Sequence, residues 1–160
     1  MNRPFDTKCA QLDDLLGVGR SFDMVSRELY IGGCRAKMWV VNGYAKDMLL
    51  ERTVEKLQAV KTLEDIGGVD DLLRRYITVC DAETCQDRMQ AVTDVFSGKT
   101  LLVVEGLDGG ILLDAKEFPT RSVQEPDAGK VLRGSHDGFV ENIMENAALL
   151  RRRIRDPALT

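Results

Sequence analysis

Two near-alternating runs that meet at a pair of glycines constrain this chain more than any other feature. In "SFDMVSRELYIGG", Val25, Leu29 and Ile31 alternate with polar residues until Gly32-Gly33 ends the run. In the following "CRAKMWVVNG", Ala36, Met38 and Val40 share one face before Asn42-Gly43 breaks it. A period of two bounded by glycine turns is the pattern of a strand, so the segment reads as strand, turn, strand, with one apolar face that other elements must cover.

The covering elements follow in sequence. "YAKDMLLERTVEKLQAV" changes to helical spacing, with Met48, Leu49, Thr53, Leu57 and Val60 on one side. "GGVDDLLRRY" predicts a short helix with Asp70 and Asp71 in its first turn, where the macrodipole favours carboxylates, and "ITVCD" predicts an apolar strand after it. "TCQDRMQAVTDVFSG" reads as a helix stopped by Gly98, and "TLLVVEGLDGGILLDAKEF" as two strands joined at "GLDGG". Ahead of all these stands a short amphipathic "AQLDDLLG".

The tail is different in kind. Pro119 and Pro126 bracket an extended, charged connection, and Asp137 suits the N-cap of a helix over "GFVENIMENAALLRRRIRD". Val140, Ile143, Ala147, Leu150 and Ile154 step by three and four along it, and Asp156-Pro157 stops it. The expected fold is α+β: a mixed sheet with hairpins covered by helices, followed by a long C-terminal amphipathic helix. Its divisions are a lead-in over 1–20, an α+β subdomain over 21–118, a charged Pro/Gly connection over 119–136 and the helix over 137–160.

Composition narrows the function classes. With 160 residues and 44% hydrophobic content the chain can bury a core, and a net charge of −4 provides no global field for nucleic acid or an anionic membrane. No run approaches the ~18 uninterrupted apolar residues of a membrane span, so this chain itself is expected to be soluble. Cys9, Cys34, Cys80 and Cys85 form no metal or disulfide framework, which points to a reducing, cytoplasmic compartment.

Several motifs weaken on inspection. "SGKT" at 97–100 resembles the end of a phosphate loop, but Thr93 stands where the first glycine belongs, and the segment follows a helix and precedes a strand. A phosphate loop needs the opposite order, so that helix N-terminal amides face the anion; a helix-to-strand turn is the reading here. "GVGRSF" at 17–22 lacks the third glycine and preceding strand of a dinucleotide fingerprint and reads as a loop. His136, the single histidine, has no nucleophile or ligand set at a recognisable spacing, and Cys80 and Cys85 read as buried, inert thiols. No catalytic residue, metal site or cofactor is expected.

Two charged groups remain. Arg151, Arg152, Arg153 and Arg155 cluster near the end of the last helix, either as a patch for phosphates, lipid headgroups or a partner's acids, or as a solvated helix end with internal ion pairs. In "RSVQEPDAGKVLRG", Arg121, Glu125, Asp127, Lys130 and Arg133 alternate in sign across a proline-stiffened segment, and Gly134 and Gly138 suit turns. Such a segment is a joint that braces a helix against a sheet by charge-assisted hydrogen bonds.

The stretch "EPDAGKVLRGSHDGFVENIMENAALLRRRIRDPAL" resembles the signature of the GerA family, the A subunits of spore germinant receptors in endospore-forming bacteria. The matching residues are Arg121, Glu125-Pro126, Arg133-Gly134, Asp137-Gly138-Phe139, Glu141, Asn146 and the run from Leu150 to Pro157. "FDMVSRELYIGGCRAKMWVVNGYAKD" and "FSGKTLLVVEGLDGGILLDAKEFPTR" are similar, more loosely, to the family's first soluble subdomain, so the resemblance covers roughly 21–160. Ser135-His136 departs from the family pattern at a variable place, and His136 takes no family role.

The resemblance implies a non-enzymatic N-terminal region on the cytoplasmic side of the spore inner membrane, acting in receptor assembly and nutrient-signal transmission. It implies other germinant-receptor subunits of A, B and C type as partners, with a homo-oligomer and a small-molecule germinant as further candidates. It also implies a membrane region and a second soluble subdomain beyond this chain, into which the helix over 137–160 leads. The family signature residues, with the arginine cluster, are then structural and interface residues rather than catalytic ones. A partly exposed apolar stripe on that helix, at Ile143, Leu150 and Ile154, is expected. The alternatives are a free-standing module binding a small metabolite between sheet and helix, and a SpoVAF-type sporulation protein.

Overall fold

The computed structural model of the chain describes residues 5–44, 47–78, 81–115 and 143–154. Ten elements follow one another: α1 (Phe5–Leu16), β1 (Met24–Ile31), β2 (Cys34–Val41), α2 (Asp47–Gln58), α3 (Val69–Tyr76), β3 (Asp81–Cys85), α4 (Arg88–Phe96), β4 (Thr100–Val104), β5 (Gly110–Asp114) and α5 (Ile143–Ile154). The strands form one sheet in the order β1-β2-β4-β5-β3. Among the described residues, no helix is long and apolar enough to cross a membrane.

The hairpins form where glycine permits the turn. Gly32 and Gly33 both have positive φ, and β1 pairs with β2 from Met24↔Val41 to Ile31↔Cys34. Gly32 has a second reason to be glycine: an added Cβ would stand 2.8 Å from the Thr62 carbonyl carbon, because the turn packs against the loop between α2 and α3. Its N–H donates to the Val60 carbonyl at 3.2 Å, which ties hairpin and loop together.

The sheet is antiparallel at every strand pair and not mixed as expected. The reason is an insertion. β3, α4 and β4 make a crossover unit of the kind that ordinarily yields a parallel pair, but β5 folds back from β4 and takes the place between them. Of the strand expected over "ITVCD", Ile77 is a buried residue after α3 and Asp81 opens β3, while Val79 and Cys80 lie outside the described residues.

Helices cover both faces. On one side Leu29, Ile31, Ala36, Met38, Leu102, Val104 and Ile111 pack with Leu50 and Leu57 of α2 and Val69 and Leu72 of α3. On the other, Met24, Trp39, Val41, Leu101, Val103 and Leu112 pack with Cys9, Leu12 and Leu16 of α1 and Ala91, Val92, Val95 and Phe96 of α4. Each fully buried aliphatic side chain contributes about 1.5–3 kcal/mol, so the two layers carry most of the stability. Burial on both faces explains why β4 reads as the unbroken apolar run "TLLVV" and not as an alternation. In α2 the inward face is Leu50, Thr53 and Leu57; Met48, expected on it, is exposed.

Local chemistry sets the helix ends. Asp87 caps α4 by accepting from the amides of Met89 at 2.7 Å and Gln90 at 3.1 Å. Asp13 holds α1 to the sheet by accepting from Trp39 Nε1 at 2.8 Å and Lys37 Nζ at 2.6 Å. Arg35 adds a second tie, donating to both carboxylate oxygens of Asp6 and of Glu105 while lying 5.0 Å from the Phe5 ring centre.

Candidate functional site

The site starts from the short segment between α1 and β1. Gly17 and Gly19 have positive φ there, and the tightened turn returns Ser21 N–H to the Gly17 carbonyl at 2.8 Å. Two residues on, the Asp23 carbonyl accepts from Asn42 N–H at 2.7 Å, so the segment joins the end of the first hairpin. The side chains of Ser21 and Asp23 are thereby held by backbone bonds at the start of β1. Ser21 Oγ donates to Asp23 Oδ1 at 2.5 Å.

Arg151 of α5 completes the group from 128 residues away. Its Nε donates to Asp23 Oδ2 at 2.5 Å, and its Nη2 donates to Asp23 Oδ1 at 2.8 Å and to Ser21 Oγ at 2.8 Å. The guanidinium lies 5.0 Å from the ring centre of Phe96, the last residue of α4. The Arg151 and Asp23 side chains are 2% and 3% exposed. This is a planar fork on a carboxylate, over an aromatic face, out of water. Arginine suits the arrangement where lysine would not, because the pairing is bidentate.

Three apolar positions of α5 contrast with its anchor. Ile143 is 72% exposed, Leu150 40% and Ile154 50%, as expected of its apolar stripe. Neither hydrophobic layer contains a described residue of α5. Chemically the site can hold a helix: its hydroxyl and carboxylate are buried and bonded to each other and to Arg151.

The expected signature residues divide accordingly. Arg151 is the buried anchor, Arg153 is exposed and Asn146 is half-buried on α5. Arg152 lies within α5. Arg121, Glu125, Pro126, Arg133, Gly134, Asp137, Gly138, Phe139, Glu141 and Arg155 lie outside the described residues, as do His136 and Cys80. Arg151 therefore does not belong to a solvent-facing basic patch: its charge is committed to Asp23. Ser21, Asp23 and Phe96 were missed by sequence reasoning, since a carboxylate at the start of a strand has no local mark of a partner 128 residues away.

The discounted motifs behave as turns and ties. Within "SGKT", Gly98 has φ of 100°, Thr100 opens β4, and Lys99 is bound to Glu83 and, at 3.0 Å, to Asp94. A lysine held by two carboxylates is not free for a phosphate. Burial raises the Cys9 thiol to about 11 and also pushes up Cys85, which is half-buried rather than buried as expected. Open clefts among the described residues include one of about 610 Å³ beside Lys8, Gln11 and Arg88 and another of about 490 Å³ between the first hairpin and α2.

The chain matches the family described as Bacillus/Clostridium GerA spore germination protein over residues 10–160. It is 34% identical over 145 residues to stage V sporulation protein AF of Bacillus subtilis (strain 168), spanning 90% of this chain and 29% of that protein. It is 30% identical over 146 residues to spore germination protein B1 of the same organism, spanning 89% of this chain and 30% of that protein. The chain thus spans less than a third of the length of these relatives. The crystal structure of the N-terminal domain of the A subunit of the Bacillus megaterium spore germinant receptor GerK3 shares the fold, with a TM-score of 0.70, 17% identity, and coverage of 98% of this chain and 57% of that one. A match across residues 10–160, carried by sequence and consistent with a shared fold, has one meaning: the chain belongs to the GerA family of spore germination proteins.

Proposed function

We propose that this chain is the N-terminal cytoplasmic region of a germinant-receptor A subunit, non-enzymatic, acting in receptor assembly and in passing a nutrient signal to a membrane region on the spore inner membrane. One observation supports the reading: among the described residues, α5 meets a closed two-layer domain through the buried Asp23–Arg151 ion pair, while Ile143, Leu150 and Ile154 remain exposed. That is the form of a mechanical joint, and it suits a signature stretch whose charges and glycines read as braces and turns. Partner subunits of A, B and C type belong to this proposal, as does a germinant bound elsewhere in the assembly.

The test uses the full-length protein in spores of a bacterium that carries its gene. An affinity-tagged copy is expected to bring B-type and C-type subunits out of detergent-solubilised inner membrane, and deletion of the gene is expected to slow the germination triggered by at least one nutrient. Absence of both effects would overturn the proposal.

A second reading is a SpoVAF-type sporulation protein, favoured by the 34% identity over 90% of the chain to stage V sporulation protein AF. It forecasts a different deletion phenotype: altered spore formation with an unchanged nutrient response.

A further inference from the structure

We propose that the outer edge of β1, with the cleft beside it, receives an extended segment of another polypeptide as an added antiparallel strand. That segment sets an acidic residue opposite Arg27 and a basic residue opposite Glu28. The surface is separate from α5, so the proposal stands or falls without the joint or the receptor reading.

The two edges of the sheet are finished differently. β3, at one end, is short, carries Asp81 and Glu83, and is tied to α3 where Thr84 Oγ1 donates to Asp70 Oδ1 at 3.0 Å. β1, at the other, is eight residues long and has no proline, lysine or bulge, the usual devices that blunt an edge. Among the described residues it pairs with β2 alone. The Asn42 amide donates to the Asp23 carbonyl, and bonded positions alternate along an antiparallel pair. Val25, Arg27 and Leu29 therefore bond to β2, and the N–H and C=O groups of Met24, Ser26, Glu28 and Tyr30 aim outward. Val25, Arg27, Glu28 and Tyr30 are exposed, so both sides of the strand stand open. On the Val25 side lies the cleft of about 490 Å³, lined by Val25, Arg27, Met38, Val40, Leu50 and Val54. Outward main-chain groups beside a cleft that takes alternate side chains are the form of a strand-addition site.

Charge decides the occupant. Two-fold pairing of β1 with a second copy keeps each side chain on its own face, so the axis passes beside one residue. Centred on Arg27 it sets two guanidiniums opposite each other, and centred on Glu28 two carboxylates, which opposes pairing. Centred elsewhere, the two strands overlap over little more than half their length. Neither Arg27 nor Glu28 has an ion-pair partner among the described residues, and a foreign strand with a base and an acid side by side supplies both. Glu51 and Glu55 rim the cleft from α2, so the partner residue beside Val25 is apolar rather than acidic.

The probe is the fluorescein-labelled peptide Val-Thr-Lys-Glu-Thr-Val, which in antiparallel register sets its Lys opposite Glu28, its Glu opposite Arg27 and its last Val opposite Val25. The control, Val-Thr-Glu-Lys-Thr-Val, reverses the charges. Fluorescence anisotropy with the chain is expected to show the probe binding at or below about 1 mM and the control about fivefold weaker or more. In the variant that combines Arg27→Glu with Glu28→Arg, both exposed positions, the preference between the peptides should invert. The two peptides on wild type decide the question even where that variant fails to fold. Bound probe should also slow amide exchange at Ser26 and Glu28, whose N–H groups face the open edge, and leave β3 unchanged. The proposal is overturned if the two peptides bind alike or not at all, or if the protection falls on β3. It is overturned too if sedimentation shows the chain dimerising with the Ser26 and Glu28 amides already protected, because the occupant would then be a second copy.

Discussion

Asp13 reaches from α1 to the sheet and accepts from both Trp39 and Lys37. Trp39 is fully buried, so removal of the carboxylate strands an indole N–H out of water. Asp13→Ala is expected to cost about 1–3 kcal/mol in urea denaturation, more than an exposed ion pair would account for. A cost within about 0.5 kcal/mol would mean that the two bonds are idle. Arg35 acts on the acid side. Its hydrogen bonds hold the Asp6 and Glu105 carboxyls below their ordinary values of 3.8 and 4.5. Carboxylates depressed in the folded state stabilise it above those values, and this contribution is lost as pH falls through the depressed ones. Between about pH 5 and pH 2 the wild type should therefore lose stability more steeply than Arg35→Met, and parallel pH profiles would contradict this. All three groups face solvent, so the difference is expected to shrink in high salt.

At the scale of elements, the first hairpin and the α2–α3 loop depend on one close approach. Gly32 and Gly33 both adopt positive φ, but a Cβ on Gly32 would meet the Thr62 and Leu63 backbone whereas one on Gly33 would meet nothing within 4 Å. Gly33→Ala is expected to cost about 1–2 kcal/mol through backbone strain alone, and Gly32→Ala about 1–3 kcal/mol more, both read from thermal melts. Equal costs would show that the loop does not press on the turn. The same element shows what could be read in advance. Turn glycines and a period of two made both hairpins legible, and the α4 helix and its stop at Gly98 followed from spacing. What failed was relational: β5 entering between β3 and β4 is a pairing choice made at long range, and no local pattern in "ITVCD" told that Ile77 would pack as a buried residue at the end of α3. Met48 was placed inward, but Leu50 fits a helical stripe with Leu57, and the structure buries Leu50 while Met48 is exposed.

At the scale of the whole molecule, the arginine run near the end of the last helix was visible as charge, but its division was not. Arg151 is sequestered and Arg153 is exposed two residues on, because successive helical positions point about 100° apart and only one of them meets Asp23. Among the described residues, the buried Asp23–Arg151 pair ties α5 to the closed domain, and the account's central claim is that the two side chains act as a coupled unit. A double-mutant cycle of Asp23→Asn, Arg151→Met and the double variant measures it, with unfolding free energies from urea denaturation. The claim forecasts that each single change costs about 3–5 kcal/mol by stranding its buried partner. The double change should cost less than the sum by about 2 kcal/mol or more. Additivity within about 0.5 kcal/mol would contradict it and return α5 to the status of a helix end that merely lies near the sheet.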